Sequence, residues 1–215
     1  CLLLKSANIG KDINLRILIS LPIGLKEQFN SSLVAMNQIY KPNLILWLED
    51  EKPFMGTMAM FLKYQPTVTG AFGGQVVLAR SNLEAEVSET EADAEIERLV
   101  GNAGDKPTII NPYTAQLGRK FFEKYIPAAA ISDTGFPLNG QKIMEWLQSH
   151  DLGGYPLLGL TGTDWDMVWP ETRRLFGATK ATYLKKGGAE VNDALIDHIL
   201  SSKAITQIMY GAKTP

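Results

Sequence analysis

Short apolar runs recur along the chain, and most of them end at proline, glycine or a polar residue that favours a turn. Runs of this length that are rich in Ile, Leu and Val are typical of strands buried on both faces. The pattern predicts six strands, at 13–23, 43–50, 73–82, 106–113, 128–132 and 155–160.

Between the predicted strands, apolar residues recur every three or four positions, which is the spacing of one helix face. This spacing predicts helices at 25–40, 53–66, 115–125, 138–147 and 190–211. Pro42 is expected to separate the first helix from the strand that follows it. In the last helix, Asn192 is expected to be the N-cap residue and Gly211 the stop.

Apolar strands that alternate with helices indicate an α/β protein. We predict a single domain over 1–215, with a layered, largely parallel sheet of about five to six strands and helices on both faces. Five apolar positions of the last helix are expected to be buried: Leu195, Ile199, Ile205, Ile208 and Met209. The methionines of the helix at 53–66, namely Met55, Met58 and Met60, are expected to fill the core.

One segment of the chain is strongly acidic, and we interpret 83–98 as an acidic loop and helix insertion whose helix leads to Gly101. Its seven acidic residues precede the first basic one, Arg98: Glu84, Glu86, Glu89, Glu91, Asp93, Glu95 and Glu97. The segment could dock a basic partner, but a solvated face explains the same composition and is favoured.

Composition excludes several classes of protein. Hydrophobic residues make up 45% and charged residues 20% of the chain, as in a packed globular protein. A net charge of −2 gives no general reason to bind nucleic acid. The lysines of "KATYLKK", which are Lys180, Lys185 and Lys186, are interpreted as a solvated surface segment.

The residues that most often carry catalysis are scarce. Cys1 is the only cysteine, and the two histidines, His150 and His198, form no metal-binding motif. No phosphate-binding glycine motif or G-x-S-x-G elbow occurs, and "GAFGG" at 70–74 is interpreted as a turn. We therefore expect no metal and no cofactor, and favour a non-catalytic protein while leaving the enzyme question open.

The stretch "LTGTDWDMVWPE" at 160–171 places Asp164 and Asp166 two positions apart. On an extended segment these carboxylates could share a divalent cation, whereas on a helix they would point apart. The spacing of Thr163 and Asp166 is that of a capping box, and Pro170 suits the first turn of another helix. We interpret the stretch as two consecutive helix starts.

Part of the chain resembles an uncharacterised family. The segment "EIERLVGNAGDKPTIINPY" at 95–113, followed by "LGRKFFEKY", has the order helix, turn, strand and Asn-Pro stop. Together with "LRILISLPI" and "LILWLED", it resembles a domain family of cyanobacterial and plastid proteins that includes a plant factor needed for photosystem II accumulation. The resemblance implies a plastid protein, in the stroma or associated with the thylakoid, that contacts photosynthetic complexes; otherwise a cytoplasmic location is expected. It also implies that a transit peptide preceded Cys1.

Three classes of function remain open. The first is a non-catalytic domain that binds protein partners, such as an assembly or accessory subunit of a photosynthetic membrane complex. The second is a nucleotide or sugar-phosphate binding domain, or an enzyme, that uses the carboxyl ends of the strands. Its candidate site residues are Asp50, Asn111, Thr163 and Asp164. The third is a structural scaffold or coat subunit.

Protein complex subunits are the expected partners, and nucleic acid is not. No apolar run reaches the ~20 residues that a bilayer-spanning helix needs, so membrane association is expected only through a partner.

Overall fold

The computed structural model describes residues 38–133, 139–150, 155–162, 182–187 and 191–211. The strand predicted at 13–23, most of the helix predicted at 25–40, and the stretch 163–181 lie outside the described residues. The candidate site residues Thr163 and Asp164 and the residue Lys180 are among those that lie outside.

The described residues form one sheet of six strands, in which every neighbouring pair is parallel. The strands are β1 (Ile39–Leu48), β2 (Val77–Arg80), β3 (Thr108–Asn111), β4 (Tyr125–Asp133), β5 (Leu157–Thr161) and β6 (Thr182–Lys185). Their order across the sheet is β2-β3-β1-β4-β5-β6. The prediction of a layered α/β fold with a largely parallel sheet is confirmed.

Helices cover both faces of this sheet. They are α1 (Lys52–Lys63), α2 (Pro66–Phe72), α3 (Glu89–Ala103), α4 (Ala115–Lys124), α5 (Asn139–Ser149) and α6 (Val191–Tyr210). On one face, Leu46 of β1 packs in a core formed mainly with α3, α4 and α5. On the other face, Ile45 and Trp47 pack in a core formed with α1, α2 and α6. Successive residues of β1 therefore pack in opposite cores, as the two-residue period of a strand requires.

Strand β1 begins earlier than predicted. Ile39 and Tyr40, which were assigned to the end of a helix, pair with Tyr125 and Ile126 of β4. Pro42, expected to interrupt the chain, lies within the strand where the register with β4 shifts. A proline cannot donate a ladder hydrogen bond, and such a shift is where a strand tolerates one.

Two elements were not predicted. Strand β6 occupies the segment "TYLK" that was interpreted as solvated surface, and its backbone pairs with β5. Helix α2 includes Gly70 of the glycine-rich stretch, and Gly73 ends the helix with a φ of 74°. The turn that was predicted therefore begins only at Gly73, where glycine adopts the left-handed conformation without strain.

Two burial predictions are wrong in part. Met55 is fully buried, but Met60 is 52% exposed. On α6, Leu195 and Ile199 are buried as predicted, whereas Ile205, Ile208 and Met209 are exposed. Ser202, Thr206 and Tyr210 line the buried side of α6 in their place. The hydroxyl of Thr206 donates to the carbonyl of Ala128, and this bond makes the buried polar side chain tolerable.

The ends of α6 agree only partly with the sequence prediction. The helix ends at Tyr210, immediately before Gly211, as expected. Asn192 is its second residue and not its N-cap, because the helix begins at Val191.

Residues 83–98 form part of the connection between β2 and β3. Ser88 caps α3 by accepting a hydrogen bond from Glu91 N, and the Glu91 side chain accepts one from Ser88 N. The helix passes through Gly101 and ends at Ala103. Among the helices of the described residues, none is both long enough and apolar enough to cross a membrane.

Candidate functional site

Parallel strands bring their carboxyl ends to one edge of the sheet. The connection that leaves β1 leads to β2 at one side of the sheet, while the connection that leaves β4 leads to β5 on the other side. Ligands of doubly wound proteins bind in the crevice where two such connections diverge. The ends of β1 and β4 therefore form the crevice in which a ligand is expected.

Two carboxylates and one ammonium group meet at this place. Glu49 follows β1, Asp133 ends β4 and Lys186 follows β6. The Nζ atom of Lys186 lies 2.7 Å from Oε2 of Glu49 and 3.2 Å from Oδ2 of Asp133. The side chains are 0%, 10% and 12% exposed for Glu49, Asp133 and Lys186 respectively. We call these three residues the ionic centre.

Burial dominates the electrostatics of the ionic centre. It raises the pKa of Glu49 to about 7, and the nearby charge of Asp133 adds to the rise, although hydrogen bonding and attraction to Lys186 oppose it. Burial also lowers the pKa of Lys186, but the hydrogen bond to Glu49 and the charges of Asp133 and Glu49 outweigh it, so that the net shift is upward. Lys186 is therefore a permanent cation that is shared between two carboxylates.

An aromatic wall stands beside the ammonium group. Lys186 Nζ lies 4.8 Å from the ring centroid of Phe54 on α1, and Phe54 meets Trp47 edge to face. A desolvated ammonium is attracted to the face of such a ring. The wall thus favours the charged form of Lys186 and limits its contact with water.

Asn111 supports the ionic centre from β3. It is completely buried, and its side-chain amide donates to the main-chain carbonyls of Trp47, at 2.8 Å, and of Glu49, at 3.0 Å. Its own side-chain oxygen has no hydrogen-bond partner among the residues that the structure describes. The carboxylate of Glu49 is also held by the main-chain N–H of Glu51, which donates to Oε1 at 3.1 Å.

A third carboxylate completes a possible cation site. One oxygen from each of Glu49, Asp50 and Asp133 lies within 4.8 Å of the others. Among the described residues, no donor meets Oε2 of Glu49 in hydrogen-bond geometry, although Lys186 Nζ lies 2.7 Å from it. In the described part of the chain, one lysine lies beside these three carboxylates, which leaves net negative charge, and carboxylate oxygens are the ligands that a hard cation binds.

The site opens towards solvent through a narrow gap. A pocket of about 10 Å³, which is room for roughly one water molecule, is lined by Asp50, Asp133 and Thr114 among others. It adjoins a cleft of about 410 Å³ that also contains Asp50 and Thr114. Lys52, Glu84 and Tyr113 line this larger cleft. A small ligand in the cleft would therefore reach the carboxylate of Asp50 first, with Glu49 and Asp133 beyond it in the gap.

Two of the four candidate residues lie at this edge. Asp50 lines the gap, and Asn111 lies one strand away with its amide bound to the main chain. Their role in ligand binding stays a prediction.

Sequence reasoning missed all three residues of the ionic centre. Glu49 was visible as a carboxylate at a strand end, and Asp133 followed a predicted strand directly. Lys186 was assigned to a solvated segment, which is wrong for this residue, since its side chain is 12% exposed and ion-paired. Its neighbour Lys185 is exposed as predicted.

Fold and site together define a doubly wound α/β protein with a buried acidic centre that holds a lysine at the carboxyl edge of its sheet. Comparison of the chain with protein-family models, with curated proteins and with solved structures finds no match.

Proposed function

We propose that this protein is a divalent-cation-dependent phosphoryl acceptor, in which Asp133 takes up the phosphoryl group. The observation that carries the proposal is that Asp133 lies beside two other candidate cation ligands, Glu49 and Asp50, and within 3.2 Å of the ammonium group of Lys186. Mg²⁺ is commonly bound by one or two carboxylates together with phosphate oxygens, and lysine binds phosphate as a point charge. A bound cation and Lys186 would thus both place positive charge near an incoming phosphoryl group.

Asp133 fits the acceptor role better than Glu49. Both residues line the gap, but the side chain of Glu49 is 0% exposed and that of Asp133 is 10% exposed. A carboxylate can attack phosphorus as a nucleophile, as in the aspartyl-phosphate intermediates of ATPases. An ionised carboxylate needs no general base, which agrees with the scarcity of histidine in the chain.

The chemical step transfers a phosphoryl group from an oxygen or nitrogen atom of the donor to a carboxylate oxygen of Asp133. An oxygen of Asp133 forms a bond to phosphorus, the bond between phosphorus and its donor breaks, and the donor leaves with the electron pair. The product is a mixed anhydride, so the donor must have a similarly high transfer potential. Acyl phosphates and phosphoramidates meet this condition.

The first prediction concerns covalent modification. Incubation of the full chain with acetyl phosphate and MgCl₂ should add the mass of one phosphoryl group, measured by intact-protein mass spectrometry. D133N should remain unmodified because it lacks the nucleophilic oxygen. D193N, which changes an exposed aspartate on α6, should be modified like the wild type. Modification of D133N, or equal modification in EDTA, would contradict the proposal.

A second candidate function is partner binding, which the resemblance to the photosystem II accumulation family supports. The specific observation is an apolar patch on the last turns of α6, where Ile205, Ile208 and Met209 are 42%, 83% and 45% exposed. Clustered exposed apolar side chains are a mark of interaction surfaces. Under this candidate the protein is an assembly or accessory factor of a photosynthetic complex in the plastid.

The acidic segment is a weaker docking surface than this patch. Its carboxylates pair within the chain: Glu89 lies 2.6 Å from Lys120 Nζ, and Glu97 lies 3.0 Å from Lys124 Nζ. A basic partner would have to break these pairs.

The second prediction tests the apolar patch. Tagged full-length protein should recover photosynthetic-complex subunits from a plastid or cyanobacterial extract, and I208E should lose them because a charge disrupts an apolar contact. Q207E, on the neighbouring exposed position, is the matched control and should retain them. Equal recovery by the wild type and I208E, measured by quantitative mass spectrometry, would exclude the patch as the docking surface.

A further inference from the structure

On the side that faces β3, the end of β1 is held by a side chain and not by the sheet ladder, whereas its pairing with β4 continues to Leu48. The paired residues of β1 and β3 end at Leu46 and Ile110. Beyond this point the Asn111 amide donates to the carbonyls of Trp47 and Glu49. Asn111 thereby extends the contact between the two strands up to the residues that carry the site.

We infer that Asn111 is a positioning residue for the cation site, in which its side-chain amide fixes the main chain that carries Glu49 and Asp50. This inference rests on the proposed function. The carbonyl that Asn111 holds belongs to Glu49 itself, and the next peptide leads directly to Asp50. Two of the three candidate cation ligands are therefore carried by main chain that this one amide contacts.

Asn111 is itself firmly anchored. Its main-chain carbonyl accepts a hydrogen bond from Ser81 N at 3.0 Å, which ties the end of β3 to the residue after β2. The side chain is also fully buried. An anchored donor of this kind limits the positions that Glu49 and Asp50 can take, and the spacing of ligand oxygens decides cation affinity.

Stability alone does not explain an asparagine at this position. Within the described ranges its side-chain oxygen is buried without a hydrogen-bond partner, which is unfavourable in a protein interior. An apolar side chain would avoid this unpartnered oxygen but would leave the carbonyls of Trp47 and Glu49 without their donor. The two main-chain contacts are thus the specific contribution of the amide.

The chain contains a matched control for this role. Asn43, which directly precedes the residues of β1 that pair with β3, also donates through one side-chain nitrogen to two carbonyls, those of Gly104 at 2.9 Å and Lys106 at 3.0 Å. These bonds connect β1 to the segment before β3, at the opposite end of β3 from Asn111. N43A therefore removes the same kind of contact without touching Glu49 or Asp50.

The test measures Mn²⁺ affinity of the full chain, by calorimetry and by the electron paramagnetic resonance signal of free Mn²⁺. We expect N111A to bind Mn²⁺ about tenfold more weakly than the wild type, since loss of a group that orients metal ligands typically costs 10- to 100-fold. N43A should bind like the wild type. The serine side chain of N111S is too short to hold both carbonyls, so this variant should show the same loss of Mn²⁺ affinity. N111S replaces N111A in the test if N111A does not fold.

The possible outcomes separate the two proposals. If the wild type binds Mn²⁺ and N111A or N111S binds it as tightly as N43A does, the positioning role of Asn111 is overturned while the cation site stands. If the wild type binds no Mn²⁺, the proposed function is overturned, and the positioning role with it.

Discussion

Two titratable side chains of the core respond to burial in opposite directions. Burial raises the pKa of the Glu49 carboxyl to about 7. Burial lowers the pKa of His198 to about 4, although a hydrogen bond with the Ala130 carbonyl opposes the shift. Each shift disfavours the charged form of its side chain, as expected for a low-dielectric environment. Only Glu49 belongs to the ionic centre, so its titration reports on the site.

Glu49 predicts a pH dependence of stability. The folded protein protonates Glu49 at a higher pH than the unfolded chain does, so this residue stabilises the fold below pH 4.5, and its contribution is lost as the pH rises through about 7. In EDTA, the unfolding free energy of the wild type should fall across this window relative to that of E49Q, by about 3 kcal/mol at most. Denaturant titrations at a series of pH values measure the difference.

His198 makes the comparison with E49Q necessary. Its contribution to stability is present above pH 6.5 and is lost as the pH falls through about 4, which is the opposite sign to that of Glu49. Because both proteins contain His198, its effect cancels in the difference. Parallel stability curves for the wild type and E49Q would show that Glu49 titrates normally in the folded state.

At the scale of elements, the spacing of apolar residues predicted secondary structure correctly where that spacing was regular. The run "TIIN" is completely buried as β3, and α4 has a clear apolar face. Strand β6 was missed because its four residues mix polar and apolar side chains, and only pairing with β5 defines it. Helix α2 was missed because it starts at proline and contains Gly70, so its stability depends on the burial of Val68 and Phe72.

Helix α3 predicts a measurable capping effect. S88A removes the hydroxyl that accepts from Glu91 N and should lower the unfolding free energy by about 1 kcal/mol. The measurement is urea denaturation followed by circular dichroism. S201A is the matched control, since Ser201 is exposed within α6 and only donates to the His198 carbonyl. A loss for S201A as large as that for S88A would argue against a specific capping role.

At the scale of the whole molecule, the order of the strands creates the candidate site. The connection from β1 passes β3 to form β2 at the sheet edge, and the later strands are added beyond β4 on the other side. Strand β1 consequently lies inside the sheet, between β3 and β4, with a core on each face. This position brings Glu49 between Asn111 on one side and Asp133 on the other.

The sequence by itself determined the class of fold, because the spacing of apolar residues that distinguishes strands from helices can be read within a short segment of the chain. It also placed Asp50 and Asn111 at strand ends. Only the tertiary structure decided that Glu49, Asp133 and Lys186 form one centre, since strand order and register depend on pairing between distant segments. The same lysine that a local pattern assigns to solvent becomes a buried counter-ion, because burial and charge pairing are properties of the assembled sheet and not of its segments.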